Sequence, residues 1–213
     1  MSKDKYKETF ETWNKVASLY QEKFMDLDLY NDTYDFFCTH IAKENSKLLE
    51  IGCGPGNITK YLLSKRPDFE IFGIDIAENM IELAKSNNPN AKFAIMDCRE
   101  IDKIKTSFDG IICGFCLPYL SQSDSQKLIA DLSKLLNKNG ILYLSFVEGD
   151  PSTSGYQTNS HGDKVYFYFY ERKSVLRLLS ENKLDILNTF KLEYKKSDSE
   201  TEIHMIVIAK NDV

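Results

Sequence analysis

Leu48-Leu49-Glu50-Ile51-Gly52-Cys53-Gly54-Pro55-Gly56-Asn57 is the stretch whose reading decides the fold. The apolar run from Lys47 to Ile51 predicts a short buried strand. It breaks into glycines at alternating positions, Gly52, Gly54 and Gly56, and Ile58 to Leu63 then predicts the first turns of a helix. A strand, a glycine turn and a helix form a ligand cradle in α/β proteins. Glycine lets the backbone approach the ligand, and the helix start offers unpaired N–H groups.

Downstream, the pattern alternates. Glu70 to Asp75 predicts a second strand, ending in an acid 19 residues after Gly56. A helix follows over 78–86, then a turn at Pro89-Asn90 and a third strand over 91–96, ending at Asp97-Cys98. Residues 108–114 predict a fourth strand and 124–136 a helix with Leu128, Ile129, Leu132 and Leu135 inward. Gly140 stands where a helix C-terminal glycine is expected, and 141–147 predict a fifth strand. Strands alternating with helices imply a doubly wound, mostly parallel sheet covered on both faces.

The ends flank this unit. Tyr6, Phe10, Trp13, Ala17, Tyr20 and Phe24 recur every three or four residues, which predicts an amphipathic helix or helix pair; 31–43 predict another. Trp13 reads as core packing. Residues 149–162 read as a long polar loop, followed by five aromatics in a row, Tyr166 to Tyr170. A helix over 171–180 and two strands, 184–194 and 202–210, complete the chain as an antiparallel hairpin. The expected organisation is one domain: a helical prefix (1–45), a ligand-binding half (46–147), and a lid segment with helix and hairpin (148–213).

Composition narrows the class. With 213 residues, net charge −5 and pI near 5.3, the chain lacks the basic footprint of a nucleic-acid binder. No apolar run approaches the ~18 residues of a membrane span, and the polar start lacks a signal-peptide core, so a cytoplasmic protein is expected. The five cysteines are odd in number and mostly sit in or beside apolar runs, which suits reduced thiols. Cys113-Gly-Phe-Cys116 has C-x-x-C spacing, but it lies in an apolar run without a second ligand pair for zinc.

Glu50-Ile-Gly-Cys-Gly-Pro-Gly56, Gly73-Ile-Asp75, Asp97, Asp109 to Gly114 and Leu135 to Gly140, in this order, resemble the successive motifs of class I S-adenosylmethionine-dependent methyltransferases. The resemblance implies a seven-stranded sheet in the order 3-2-1-4-5-7-6 with strand 7 antiparallel, and S-adenosylmethionine as cofactor with no metal. The chemistry of that cofactor agrees with the residues. Asp75 can accept hydrogen bonds from both ribose hydroxyls. Gly52, Cys53, Gly54 and Gly56 let the methionine and ribose lie on the backbone, with Glu50 orienting the turn or meeting the amine through water. Asp97 and the Cys98 N–H suit the adenine edge, and Ile76 and Met80 its faces. By resemblance, Gly114 and Phe115 approach the methionine end and Tyr20 closes over the cofactor.

A nicotinamide Rossmann domain is the nearest rival, but its G-x-G-x-x-G fingerprint requires a glycine at Asn57. A non-catalytic binding module is the other alternative. For the acceptor, the resemblance places Tyr119 after strand four, and His161 and Tyr168 after strand five, near the transferable methyl. His161 and Tyr119 are the candidate catalytic groups, and a small-molecule O or N nucleophile is expected. No Asn-Pro-Pro-Tyr-like motif of base or amide methylation follows strand four.

Overall fold

The structure, a computed structural model, describes residues 5–159 and 162–212. Three helices come first, α1 (Lys5–Lys15), α2 (Ala17–Phe24) and α3 (Asn31–Thr39). The alternating unit follows: β1 (Lys47–Ile51), α4 (Asn57–Lys65), β2 (Glu70–Asp75), α5 (Glu78–Asn87), β3 (Lys92–Ile95), β4 (Phe108–Cys113), α6 (Gln122–Leu135) and β5 (Leu136–Glu148). Then come β6 (Gly155–Thr158), β7 (Lys164–Phe167), α7 (Arg172–Glu181), β8 (Leu184–Lys195) and β9 (Thr201–Asn211).

Seven strands form one sheet in the order β3-β2-β1-β4-β5-β9-β8. The first five are parallel, and β9 runs antiparallel to both β5 and β8. This is the expected order, with the two last strands renumbered because β6 and β7 make a separate ribbon. Alternation along the strands sends neighbours to opposite faces. Leu49 and Ile111 join the apolar cluster under α6 and α7, whereas Leu48 and Ile112 join the one under α3 and α4. The order reverses direction between β1 and β4, so the C-terminal ends of these strands open a crevice.

Three local expectations need correction. The prefix takes the expected helix-pair form, interrupted at Val16, but the third helix, expected over 31–43, stops at Thr39. Gly140 is not the left-handed residue after α6; that conformation falls on Asn139 (φ 63°). Gly140 is required for space instead, since a Cβ there would meet the Asn137 carbonyl oxygen at 2.8 Å. The polar stretch 149–162 is not a simple loop either: Gly155–Thr158 pairs with Lys164–Phe167. The ribbon is tied to α1, where Thr9 Oγ1 accepts the Tyr166 N–H (3.0 Å) and Thr12 donates to the Lys164 carbonyl (2.7 Å). Lys15 pairs with Asp163 at 2.6 Å. Prefix and ribbon thus form one wall above the strand ends. Among the described residues, no helix is long and apolar enough to cross a membrane.

Candidate active site

The glycine turn is built by backbone bonds. The Cys53 N–H donates to the Ile74 carbonyl (3.0 Å), fixing the turn to β2. Asp75, at the end of β2, accepts the Gly54 N–H on one oxygen (3.0 Å) and the Ala77 N–H on the other (2.9 Å). One carboxylate therefore joins the turn to the start of α5. Burial pushes the Asp75 carboxyl up, and the N–H donors only partly offset it. Gly54 (φ +52°) lies 3.6 Å, measured from an added Cβ, below the Tyr20 ring. An added Cβ would thus already touch the ring, so the bare Gly54 backbone lets the tyrosine approach the turn closely.

A first cavity runs over this turn. Gly52, Gly54 and Gly114 form its floor, Asp75, Ile76 and Met80 one side, and Asp97 and Cys98 its far end. Phe10, Trp13 and Tyr20 of the prefix cover it. Asp97 caps the short helix that follows β3, accepting the Arg99 N–H at 2.9 Å, and also pairs with the Arg99 side chain. Phe115 holds a left-handed φ of 53°, with its N–H on Ser145 Oγ (2.7 Å). Such strain in a bulky residue persists where surrounding structure over-determines it.

A second cavity adjoins the first and shares Trp13, Tyr20, Gly52, Gly114, Phe115 and Tyr119 with it. Its outer wall is Tyr30, Tyr194, Glu202 and His204, with Phe167 from β7. Neither lining contains a Lys or Arg among the described residues. Trp13 spans the seam, edge-on to Tyr20 (5.6 Å) and Tyr119 (5.3 Å). Its indole N–H is buried without a partner among the described residues.

Most of the sequence-derived residues converge here: Tyr20, Gly52, Gly54, Asp75, Ile76, Met80, Asp97, Cys98, Gly114, Phe115 and Tyr119 all line the first cavity. Four others are placed differently. Cys53 points away, into a cluster with Ile81, Ala84 and Phe93. Gly56 (φ +82°) packs α4 against α5, where a Cβ would sit 2.4 Å from Asn88 Nδ2. Glu50 lies behind the floor, 1% exposed. One of its oxygens accepts the Thr59 hydroxyl and the other has no partner among the described residues. Burial pushes its carboxyl up to about 8 against Thr59's opposing bond. Tyr168 lines neither cavity; its ring meets Tyr166 at 4.7 Å, and its neighbour Phe167 faces the second cavity instead. His161 lies outside the described residues.

Sequence reasoning took Trp13 as core packing and gave His204 no place in the site. The available signal was Glu202 and His204 two apart on a strand, hence on one face. Nothing local pointed to Tyr30, whose hydroxyl lies 2.7 Å from His204 Nδ1 across 174 positions.

Comparison with known proteins agrees with this geometry. Residues 48–140 match a family described as "Methyltransferase domain". The 235L protein of Invertebrate iridescent virus 6, named as a methyltransferase, is 29% identical over 136 residues, 64% of this chain and 49% of its own. A carboxy-S-adenosyl-L-methionine synthase of Campylobacter hominis is 27% identical over 150 residues, 67% of this chain and 64% of its own. The chain thus spans about half to two thirds of these curated relatives. In fold, it is similar to the 1,6-didemethyltoxoflavin-N1-methyltransferase of Burkholderia thailandensis, solved with S-adenosylhomocysteine (TM-score 0.74, 16% identity, 97% of this chain and 88% of that one). Residues 48–140 thus match a methyltransferase domain, and the sheet order is that of the Rossmann-like fold shared with solved S-adenosylmethionine-dependent methyltransferases.

Proposed function

We propose that the protein binds S-adenosylmethionine in the first cavity and transfers its methyl group to an O or N nucleophile of a small molecule in the second. The observation that carries this reading is the seam: two cavities share a floor at Gly52 and Gly114 and a roof at Trp13 and Tyr119. Ligands on either side of such a seam are aligned for in-line displacement, and alignment is the main barrier-lowering contribution available.

The residues present fit the cofactor. Asp75 has lone pairs beyond its two backbone bonds for the ribose hydroxyls. Gly54 offers bare backbone beneath Tyr20. The unpartnered Glu50 oxygen behind the turn suits an amine reached through water. Ile76 and Met80 offer apolar faces to adenine, and Asp97 and Cys98 close its end. When bound, the cofactor supplies an electrophilic methyl on a sulfonium, whose leaving group needs no proton. The chain's own task is then to hold the acceptor, exclude water with Trp13, Tyr20 and Tyr119, and remove a proton where the acceptor carries one.

A carboxy-transferring reaction on the cofactor, suggested by the Campylobacter relative's name, is disfavoured by charge. A buried carboxylate needs a cationic partner, and among the described residues neither cavity lining supplies Lys or Arg. A nucleic-acid acceptor is disfavoured by the net charge of −5. Titration calorimetry with S-adenosylmethionine, S-adenosylhomocysteine and NADH, followed by turnover against a metabolite panel, tests the reading. Tighter binding of NADH would refute the cofactor assignment. Binding without turnover on any acceptor would favour a non-catalytic module, and faster methylation of RNA or protein than of any metabolite would refute the acceptor class.

A further inference from the structure

The second cavity contains a hydrogen-bonded chain that the cofactor has no use for. Tyr30, just before α3, places its hydroxyl 2.7 Å from His204 Nδ1. The other ring nitrogen, Nε2, faces Glu202 at 3.4 Å. The second Glu202 oxygen takes Lys196 Nζ at 3.0 Å. All of Tyr30, Glu202 and His204 line the cavity. The His204 ring is held flat against Tyr194 (4.8 Å, 14° between planes) and beside Phe115 (4.7 Å), so it cannot turn away.

Resting on the methyltransferase reading above, we infer that the second cavity takes an aromatic hydroxyl compound, and that the hydroxyl proton leaves through Tyr30 to His204, with Glu202 holding the imidazole. The tautomer follows from the partners. A carboxylate only accepts, so Nε2 carries the hydrogen that points at Glu202, and Nδ1 is left to accept from the Tyr30 hydroxyl. In the transfer, the acceptor oxygen gains the methyl carbon as the C–S bond breaks, and that bond's electron pair stays on sulfur. The oxygen's proton passes to Tyr30 Oη while Tyr30's own proton passes to Nδ1, leaving an imidazolium facing Glu202.

Two features select the acceptor class. The walls are aromatic, with Phe24, Tyr34, Phe167 and Tyr194 offering ring faces and edges to a flat ligand. A neutral amine attacks without prior deprotonation, so an accepting chain is superfluous for it. An aromatic hydroxyl has a pKa near ~10, like tyrosine, within a few units of imidazole, whereas an aliphatic hydroxyl lies far beyond its reach. The charged and titratable groups facing His204 are Tyr30 from the α3 side, Tyr194 from β8, Glu202 on β9, Lys196 behind Glu202, and Lys23 of α2 over the Tyr194 ring (6.0 Å). Burial pushes the Glu202 carboxyl up, but His204 and Lys196 outweigh it and hold it below its ordinary value, so it is ionised at neutral pH.

The test uses 4-nitrophenol, whose ionised form absorbs visible light, added to the full chain saturated with S-adenosylhomocysteine. In the wild type, the bound probe should ionise at least about one pH unit below the free probe, because the chain accepts its proton and keeps it nearby. Tyr30→Phe and His204→Gln should each abolish that shift while leaving S-adenosylhomocysteine affinity within about twofold; Glu202→Gln should shrink it. A structural role alone would not move the ionisation midpoint of a bound probe. Should His204→Gln fail to fold, Tyr30→Phe, which removes one oxygen, reads the same chain. An unchanged midpoint in Tyr30→Phe, or no binding of 4-nitrophenol to the loaded wild type, overturns the inference while the methyltransferase reading stands. Absence of S-adenosylhomocysteine binding to the wild type overturns both.

Discussion

Glu50→Gln is the substitution for which the structure sets a magnitude. The Glu50 carboxyl lies wholly buried behind the glycine turn, and burial raises it from an ordinary 4.5 to about 8, against the opposing bond from Thr59 and with Asp75 adding repulsion. Between these values the unfolded chain ionises while the folded chain keeps its proton. The stabilising contribution is therefore full below about 4.5 and is lost as pH rises through about 8. Each unit of the window is worth about 1.4 kcal/mol, so the ligand-free wild type should lose roughly 3 kcal/mol between pH 5 and pH 8 from this one group. Glutamine keeps the shape and cannot ionise, so Glu50→Gln should lack that slope. Urea denaturation of both proteins across this range, read as the difference between them, cancels every other titrating group. A bound cofactor amine that meets Glu50 would favour the ionised form. Wild-type affinity for S-adenosylhomocysteine should then rise from pH 6 to pH 8, and that of Glu50→Gln should stay flat. Parallel stability profiles, within about 1 kcal/mol, would refute the burial argument; parallel affinity profiles would remove Glu50 from the cofactor site.

Asp75→Ala should weaken S-adenosylhomocysteine binding by about one to two decades, the worth of a bond to a charged group. Asp109→Ala should spare affinity and cost stability, since Asp109 accepts the Lys47 N–H (3.0 Å) and Asn137 Nδ2 (2.9 Å) far from either cavity; equal affinity losses in calorimetry would refute the placement. Gly56→Ala should destabilise by roughly 2–4 kcal/mol in urea, combining left-handed strain with loss of the Asn88 bond to the Gly56 carbonyl (2.9 Å), and a loss under about 1 kcal/mol would contradict it. Trp13→Ala removes two edge-on aromatic contacts worth about 0.5–1.5 kcal/mol each, so cofactor affinity should fall roughly five- to a hundredfold, and unchanged affinity would show that the prefix does not close the cavity.

What was legible in the sequence was what neighbours along the chain decide. The glycine turn, the acid ending β2 and the alternation of strands and helices are local patterns, and the sheet order followed from the family they resemble. The site residues carried by those patterns, from Gly52 to Phe115, converge on the first cavity. The misplacements also have local causes. Cys53 lies between Gly52 and Gly54 and so points to the opposite side of the turn, while Gly56 stands where α4 begins and packs against the end of α5, so only two of the four line the cavity. Tyr168 failed by the same parity, since residues in an extended segment alternate and Phe167 took the inward place. The ribbon of β6 and β7 hid in a polar composition that reads as loop, because its partners are an α1 threonine and each other, not a hydrophobic face. Tyr30 and His204 meet across most of the chain, and no periodicity records such a contact.

The wall over the strand ends links the two cavities in a way that neither shows alone. Phe10 and Trp13, which cover the first cavity, sit on α1 between Thr9 and Lys15, and α1 is held by Thr9, Thr12 and Lys15 to the β6–β7 ribbon. Phe167, on that ribbon, lines the second cavity. The Thr9 side chain is buried and bonds at both ends, donating to the Lys5 carbonyl at 2.7 Å and accepting from Tyr166, so the helix and ribbon share one fixed register. The two cavities are therefore roofed by one wall held in one register, so a displacement of α1 against the ribbon would alter both linings together.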